Sequence, residues 1–307
     1  MTQPTPRDAR AHVTVTPSST RTRSGTFGVL TITAPEVPPR ETVLYLHGFP
    51  DHPLSCMGFL TRIARSGRRV VAPFLRGYAP SPIDGPFTLE QLVDDAVALL
   101  DTLAPRERVS VVGHDWGAAI TYGLCALHPT RVRRAVTMAV PHSLQFLSAL
   151  RDPSQRKRSA YMALFQLPWL PEALLRLPHG LLVRALWRRW SPGFSLDAQA
   201  QRALLHTLTQ SGAAPIEFYR AMTRPVGAAI ARLRGPMAAP ITVPVLHLQG
   251  ARDGCIAPSA CVGQERYFSG EFASEVVPSV GHFLAHEAPE VIATRVISWL
   301  NQGESLK

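Results

Sequence analysis

The stretch VVGHDWGA at residues 111–118 decides the fold class. An apolar segment at 109–112 leads into a turn in which Gly113 and Gly117 flank Asp115, and a helical pattern follows. Glycines on both sides permit a sharp, strained passage from strand to helix, which presents a nucleophile above a sheet. The stretch therefore predicts a nucleophilic Asp115. The competing interpretation is an aspartate that caps an ordinary helix.

Short apolar segments alternate with amphipathic helical patterns through both ends of the chain. Helices are predicted at 89–103, with Thr88 as N-cap, and at 289–300. Such alternation predicts an α/β fold with a mostly parallel sheet covered by helices on both faces. A hairpin of 13–15 with 27–32 is expected to lie antiparallel at the sheet edge. The strands are predicted at 42–46, 69–72, 109–112, 132–138, 243–248 and 274–277.

The alternation is interrupted for about a hundred residues after Pro141, where the pattern is helical and broken by prolines. We interpret residues 143–240 as a helical cap inserted into an α/β core made of residues 25–142 and 241–307. Residues 1–24 are predicted to be an N-terminal extension with an edge strand.

Composition excludes several classes of protein. With 46% hydrophobic and 18% charged residues in 307, the chain is neither disordered nor fibrous. Its N-terminus does not resemble a signal peptide, and no apolar run is long enough to cross a membrane. The four cysteines lack zinc-site or disulfide spacing, so we expect free thiols, a cytoplasmic location, and neither metal nor organic cofactor.

The net charge of +10 is concentrated in the predicted cap. Thirteen basic and four acidic residues fall between 143 and 240. A basic surface can attract an acidic partner, nucleic acid or a membrane. No nucleic-acid-binding motif accompanies the arginines, so we expect a solvated helical surface and no nucleic-acid partner. The cap tryptophans are expected to pack within the cap or line a pocket, with Trp187 and Trp190 shielding arginine side chains.

A carboxylate nucleophile changes the chemistry expected of the turn. Asp115 is ionised near neutral pH and needs no base to attack carbon, which leaves an alkyl ester on the enzyme. A base is needed only to activate the water that hydrolyses this ester. His282, in a glycine-containing loop after the final predicted strand, fits that role, with His286 as a solvent-facing alternative.

Two further elements complete the predicted site. Asp253 follows the strand at 243–248 and completes the chain order nucleophile, acid, histidine, so we expect it to orient His282. A turn aspartate before glycine is the simpler alternative. The backbone N–H groups of Phe49 and Trp116 are predicted to form the oxyanion hole, because they follow the first core strand and the nucleophile.

Together, HGFP at 47–50, RGY at 76–78, GHDWG at 113–117, Asp253 and GHF at 281–283 resemble the epoxide hydrolases of the α/β-hydrolase fold. The resemblance covers residues 25–302. It departs from the family at Phe74, where an aspartate often pairs with the arginine of the RGY turn, so Arg76 must find another partner. Haloalkane dehalogenases share the aspartate-tryptophan turn, which narrows the implied reaction to two.

The cap favours the epoxide. The family uses two lid tyrosines, and YMALFQ at 161–166 and FYR at 218–220 resemble their motifs. The resemblance therefore implies that Tyr161 and Tyr219 donate protons to the epoxide oxygen; a phenol with a pKa of about 10 stays protonated and can do so. The implied partner is a small-molecule epoxide, hydrolysed to a vicinal diol. The alternatives are a haloalkane or haloacid dehalogenase using Asp115, Asp253 and His282, and a catalytically silent receptor.

Overall fold

The computed structural model describes residues 12–227, 231 and 235–302. Eight strands form one sheet in the order β1-β2-β4-β3-β5-β6-β7-β8. The last six strands in this order, β4-β3-β5-β6-β7-β8, are parallel to one another. Strand β2 is antiparallel to both of its neighbours, β1 and β4. The mostly parallel sheet is thus confirmed. The strand bounds are β1 Thr14–Thr22, β2 Gly25–Thr33, β3 Glu41–Leu46, β4 Arg68–Pro73, β5 Val109–His114, β6 Val132–Met138, β7 Val245–Gly250 and β8 Phe272–Val277.

Helices cover the sheet. Helix α2 spans the predicted range, and the Thr88 hydroxyl accepts a hydrogen bond from the Gln91 N–H as the predicted N-cap. The helix bounds are α1 Met57–Arg65, α2 Leu89–Leu103, α3 Trp116–Leu127, α4 Ser143–Ala149, α5 Pro153–Arg158, α6 Ala160–Leu164, α7 Leu170–Leu175, α8 Leu181–Trp190, α9 Ala198–Ser211, α10 Ala214–Thr223, α11 Leu284–Glu287 and α12 Pro289–Asn301.

The edge hairpin is much longer than the predicted pairing of 13–15 with 27–32. Strand β1 pairs with β2 from Thr14 opposite Thr33 to Thr22 opposite Gly25. Most of β1 is exposed and built from threonine, serine and arginine, so it carries no apolar alternation that reveals a strand. Residues 1–11 of the predicted N-terminal extension lie outside the described residues.

The region between β6 and β7 contains helices α4 to α10. Several prolines that interrupt its sequence pattern start helices, because Pro171 and Pro215 occupy the first turns of α7 and α10. Proline is tolerated there since the N–H it lacks has no partner within the helix. The domain boundaries at 142/143 and 240/241 stay a prediction.

The middle of the sheet positions the site. Every residue of β5 and β7 is buried, and both strands run parallel to β6 between them. The candidate nucleophile follows β5 and the candidate acid follows β7, so the sheet brings both to one edge. Within the described part of the chain, none of the helices has the length and apolar character required to span a membrane.

Candidate active site

Asp115 lies on a strained turn between β5 and α3, with φ 53° and ψ −116°. The left-handed φ is uncommon for a residue with a side chain and marks a backbone held by its surroundings. A Cβ atom on Gly113 would overlap the Gly117 carbonyl, and one on Gly117 would overlap the Leu46 carbonyl. The two flanking glycines are therefore required by close backbone contacts.

The HGFP turn after β3 contacts the carboxylate directly. The Phe49 N–H donates a hydrogen bond of 2.8 Å to Asp115 Oδ1. Gly48 lies so close to Asp115 that any side chain at position 48 would collide with the carboxylate. This N–H is one of the two predicted oxyanion donors, and it would stabilise negative charge developing on Oδ1. Trp116, the other predicted donor, is the first residue of α3.

His282 lies between two carboxylates. Its Nδ1 is 2.8 Å from Asp253 Oδ2, and its Nε2 is 3.4 Å from Asp115 Oδ2, an ion-pair distance. All three side chains are buried. Asp115 precedes His282 by 167 residues and Asp253 by 138 residues in the chain. The structure thus brings these three residues together in the arrangement expected of a nucleophile, base and acid.

The two carboxylates control the charge of His282. Burial alone would lower its pKa, but the charge of Asp253 and the interactions with Asp115 outweigh burial and raise the pKa to about 10. The imidazole is therefore protonated at neutral pH while Asp115 carries its charge. Neutralising Asp115 removes part of this effect and lowers the pKa of His282.

Asp253 is held by four hydrogen bonds. Its Oδ1 accepts from the N–H groups of Cys255 and Ile256, at 2.7 and 2.8 Å, and its Oδ2 accepts from Gln249 Nε2 at 2.9 Å in addition to His282. Sequence reasoning missed Gln249, which belongs to buried strand β7. Its only signal is an amide side chain at the end of a mostly apolar run, four residues before Asp253.

His114 anchors the loop that carries His282, and sequence reasoning missed this role too. Its Nε2 lies 2.8 Å from the His282 carbonyl oxygen, so this nitrogen carries the proton and donates. Burial lowers the pKa of His114 to about 4, assisted by the neighbouring His282. His114 is therefore neutral and adds no positive charge next to the imidazolium.

The end of α8 connects the cap helices to the loops of the base and the acid. The Trp190 carbonyl accepts hydrogen bonds from the His282 N–H at 3.1 Å and the Gly254 N–H at 2.9 Å. Ser191 Oγ accepts from the Phe283 N–H at 3.0 Å and donates to Glu287 Oε1 at 2.6 Å. These contacts fix the position of the His282 loop relative to α8.

Tyr161 and Tyr219 lie together above this arrangement, with their ring centres 5.6 Å apart. The Tyr219 ring packs edge-on against Phe49 at 5.4 Å and against Trp116 at 5.2 Å. The Tyr161 hydroxyl contacts the buried Cys255 Sγ at 3.5 Å. The Tyr219 hydroxyl is buried without a well-formed hydrogen bond to any described residue, so it is available to a ligand.

Both phenols keep their protons at neutral pH. Burial, first, and then nearby groups that include Asp115 raise the pKa values of Tyr161 and Tyr219 well above 10. The Tyr219 ring contacts Phe49, whose N–H binds Asp115, and it also packs against Trp116 and Tyr161, so the carboxylate and the two phenols share one site. Such an arrangement can attack an electrophilic carbon from one side and donate hydrogen bonds to a departing oxygen from the other.

One expectation about a neighbouring residue is wrong. His286 does not face solvent: its side chain is buried with Nε2 3.3 Å from Asp51 Oδ2, which removes it as an alternative base beside Asp115. Trp190 packs against Tyr161 at 4.9 Å, and Trp187 stacks on Phe283 at 3.5 Å. The shielding of arginine side chains by these two tryptophans stays a prediction.

Trp169 departs furthest from expectation, because it neither packs within the cap nor lines a pocket. Its side chain is 82% exposed.

Arg76 has a charged partner, as expected, although Phe74 stands where the family often has an aspartate. Its Nε lies 2.7 Å from Asp95 Oδ2 in α2, and both side chains are buried.

Comparisons with known proteins identify the family of this chain. Residues 41–289 match the family model of the alpha/beta hydrolase fold, and the chain belongs to this superfamily. Human epoxide hydrolase 4 is 28% identical over 276 residues, covering 86% of this chain and 73% of that protein. Mouse epoxide hydrolase 3 is 30% identical over 260 residues, covering 81% and 67%. Within the superfamily, the chain belongs to the epoxide hydrolases.

A solved structure from a study of epoxide hydrolases in metagenomes from hot environments superposes with a TM-score of 0.77. It is 25% identical, and the match covers 94% of this chain and 99% of that one. The likeness therefore includes the region between β6 and β7 as well as the sheet.

Proposed function

We propose that this enzyme hydrolyses an epoxide to a vicinal diol through an alkyl ester of Asp115. The observation that carries the proposal is the pair of protonated tyrosines, Tyr161 and Tyr219, placed near the carboxylate. A carboxylate alone also suits displacement of a halide. An epoxide oxygen, unlike a halide, leaves as an alkoxide and gains most from a proton donor.

In the first step, an oxygen of Asp115 bonds to a ring carbon and the carbon–oxygen bond of the epoxide breaks. The electron pair of that bond stays on the departing oxygen, which takes a proton from Tyr161 or Tyr219. Two hydrogen bonds to this developing charge contribute about 1.5–3 kcal/mol each to the transition state. The product is an ester in which Asp115 is neutral.

Neutralisation of Asp115 prepares the second step. The pKa of His282 falls once the Asp115 charge is gone, so the imidazole loses its proton and becomes a base. The proton lost by His282 returns to the tyrosine that protonated the departing oxygen. Asp253 remains charged and holds Nδ1, which leaves Nε2 to accept a proton from water.

Water then attacks the carbonyl carbon of the ester and gives its proton to His282. The tetrahedral intermediate carries its negative charge on an oxygen that the N–H groups of Phe49 and Trp116 would stabilise. Cleavage of the bond to the alkyl oxygen releases the diol, which takes the proton from His282. The water oxygen stays in Asp115, and the second water proton passes from the Asp115 carboxyl to His282, which restores the carboxylate and the imidazolium.

A single turnover in water enriched in heavy oxygen tests the route. We expect the label in the peptide that contains Asp115, by mass spectrometry, and an unlabelled diol. The variant His282→Gln should accumulate the ester as a mass increase on the same peptide, and Asp115→Asn is the control that forms none. Label that enters the diol directly in the first turnover would refute the ester. Halide release without diol formation on a mixed substrate panel would favour a dehalogenase.

A further inference from the structure

A short segment of the cap region presents apolar side chains to solvent. Trp169 is 82% exposed, the most of any large apolar side chain in the described residues. Four leucines within twelve residues of it are 39–50% exposed: Leu167, Leu170, Leu177 and Leu181. Clusters of this kind on a soluble protein mark an interaction site. We call these five residues the apolar tip.

The apolar tip is held outward by its backbone. Pro168 and Pro171 flank Trp169 and Leu170 and fix the φ angles on both sides. Trp169 has a left-handed φ of 62° and its carbonyl starts α7 by accepting from the Ala173 N–H at 2.9 Å. The Leu167 carbonyl accepts from the Arg220 guanidinium at 2.7 Å. These contacts fix the backbone at Trp169, from which the indole extends into solvent.

Trp169 differs in this respect from the other four tryptophans of the chain. They are all buried, at Trp116, Trp187, Trp190 and Trp299. An exposed tryptophan loses the free energy of burial that the others gain, about 2–3 kcal/mol for a large side chain. A binding partner that covers Trp169 would recover this free energy.

Basic side chains accompany the apolar tip. Arg184 and Arg188 follow Leu181 at three and seven residues in α8, on its exposed side, and α8 packs against α7. Arg176 ends α7 beside Leu177. Glu172 pairs with Arg220 at 2.7 Å, and the same guanidinium pairs with Glu217 at 2.6 Å. With Arg176, Arg184 and Arg188 added to these three groups, the positive charges around the apolar tip outnumber the negative ones.

We propose that the apolar tip and these arginines bind the surface of an anionic lipid bilayer. Tryptophan prefers the boundary between headgroups and acyl chains, leucines insert beyond it, and arginines pair with lipid phosphates. A second copy of the chain fits less well, because two such surfaces would bring like charges together. A bilayer supplies both the apolar depth and the opposite charge.

Binding at this place would bring the bilayer close to the candidate active site. Gln166, next to the apolar tip, donates from Nε2 to the Tyr219 carbonyl at 2.8 Å, and α6 just before it carries Tyr161. A lipophilic molecule dissolved in the bilayer would then first meet the protein next to α6, the helix that carries Tyr161. The proposal does not depend on which reaction they serve.

Binding is tested with vesicles of phosphatidylcholine alone and of an equimolar mixture with phosphatidylglycerol. We expect the full chain to sediment with the anionic vesicles, with a blue shift of tryptophan emission, and to be released by salt. Trp169→Ser should weaken binding about tenfold and remove the shift. Arg184→Gln and Arg188→Gln should each weaken it about fivefold.

Val262→Ser is the matched control, because Val262 is 74% exposed but lies after β7, away from the apolar tip. It should bind as the unmodified chain does, and Trp169→Ser should keep activity on a water-soluble epoxide. The proposal is overturned if anionic vesicles fail to bind or if Trp169→Ser binds them unchanged. The proposal is also overturned if the unmodified chain does not bind vesicles but self-associates in sedimentation velocity, and Trp169→Ser loses that self-association. This result would favour a second copy of the chain as the partner.

Discussion

The carbonyl oxygen of Trp190 accepts a hydrogen bond from the main-chain N–H of His282, and a second from the N–H of Gly254. One peptide group at the end of α8 therefore positions the loop of the candidate base and the loop of the candidate acid together. Ser191, the next residue, continues this connection through its side chain. The region between β6 and β7 thus contacts both loops of the candidate site.

Ser191→Ala tests this connection. The Phe283 N–H would lose its acceptor and Glu287 its donor in a buried place, so we expect unfolding free energy to fall by about 1–3 kcal/mol. Displacement of His282 should lower kcat about tenfold. Denaturant unfolding and steady-state kinetics measure the two effects. Thr209→Ala, which removes an exposed hydroxyl in α9, is the control and should change neither.

Asp115→Asn should remove activity and change the charge of His282. We expect diol formation to fall by at least about 10³-fold, since the amide is not a nucleophile. The pKa of His282 should fall below its value of about 10, because one of the two carboxylates that raise it is gone. Nuclear magnetic resonance titration of the imidazole measures this pKa. An unchanged value would mean that Asp115 does not act on His282.

The raised pKa of His282 makes stability depend on pH. Because the folded value of about 10 exceeds the unfolded value of about 6.5, the ion pairs contribute fully below about pH 6.5. Their contribution decreases as pH rises through this window and is absent above about pH 10. Thermal unfolding between pH 7 and 10 should therefore show a steeper loss of Tm than the same series in His282→Gln. Parallel curves would contradict the raised pKa.

Replacing either tyrosine by phenylalanine removes one proton donor and leaves the aromatic packing. We expect Tyr161→Phe and Tyr219→Phe each to lower kcat/KM for an epoxide about tenfold to hundredfold, and the double variant to lose nearly all activity. Chromatographic assay of the diol measures the loss. Full epoxide turnover in the double variant would exclude the phenols from the reaction.

The buried pair of Arg76 and Asp95 predicts a large effect on stability. Asp95→Asn leaves the Arg76 guanidinium without its charged partner, so we expect a loss of about 3–5 kcal/mol in unfolding free energy. Glu290→Gln, which removes the exposed partner of Arg62, should cost no more than about 1 kcal/mol. Equal losses in the two variants would show that burial does not determine the strength of these pairs.

Much of the fold was predictable because its signals are local. The elbow at Asp115 depends on glycines two residues before and two residues after it, and α2 depends on a continuous apolar face with a threonine cap. The chain near each feature therefore contains the information. The proximity of Asp115, Asp253 and His282 followed from the chain order of parallel strands. Strand β1 escaped prediction because an exposed edge strand needs no apolar alternation.

Other features were not predictable because they are set by tertiary contacts. The partner of Arg76 lies nineteen residues away on α2. His286 was expected to face solvent, yet the turn after β3 brings Asp51 to it. The burial of Trp187 and Trp190 and the exposure of Trp169 depend on how the helices between β6 and β7 pack, which no local pattern encodes.

The aromatic cluster that joins Phe49 to Tyr219 has a consequence for the reaction cycle. Asp115, His282 and Tyr219 are all buried, so a substrate reaches the carboxylate only after side chains around it move. We expect the contact between Phe49 and Tyr219 to open in this movement, on the microsecond to millisecond timescale of such motions in other enzymes. Diol departure requires the same movement, which makes the rate of this gate an upper limit on kcat.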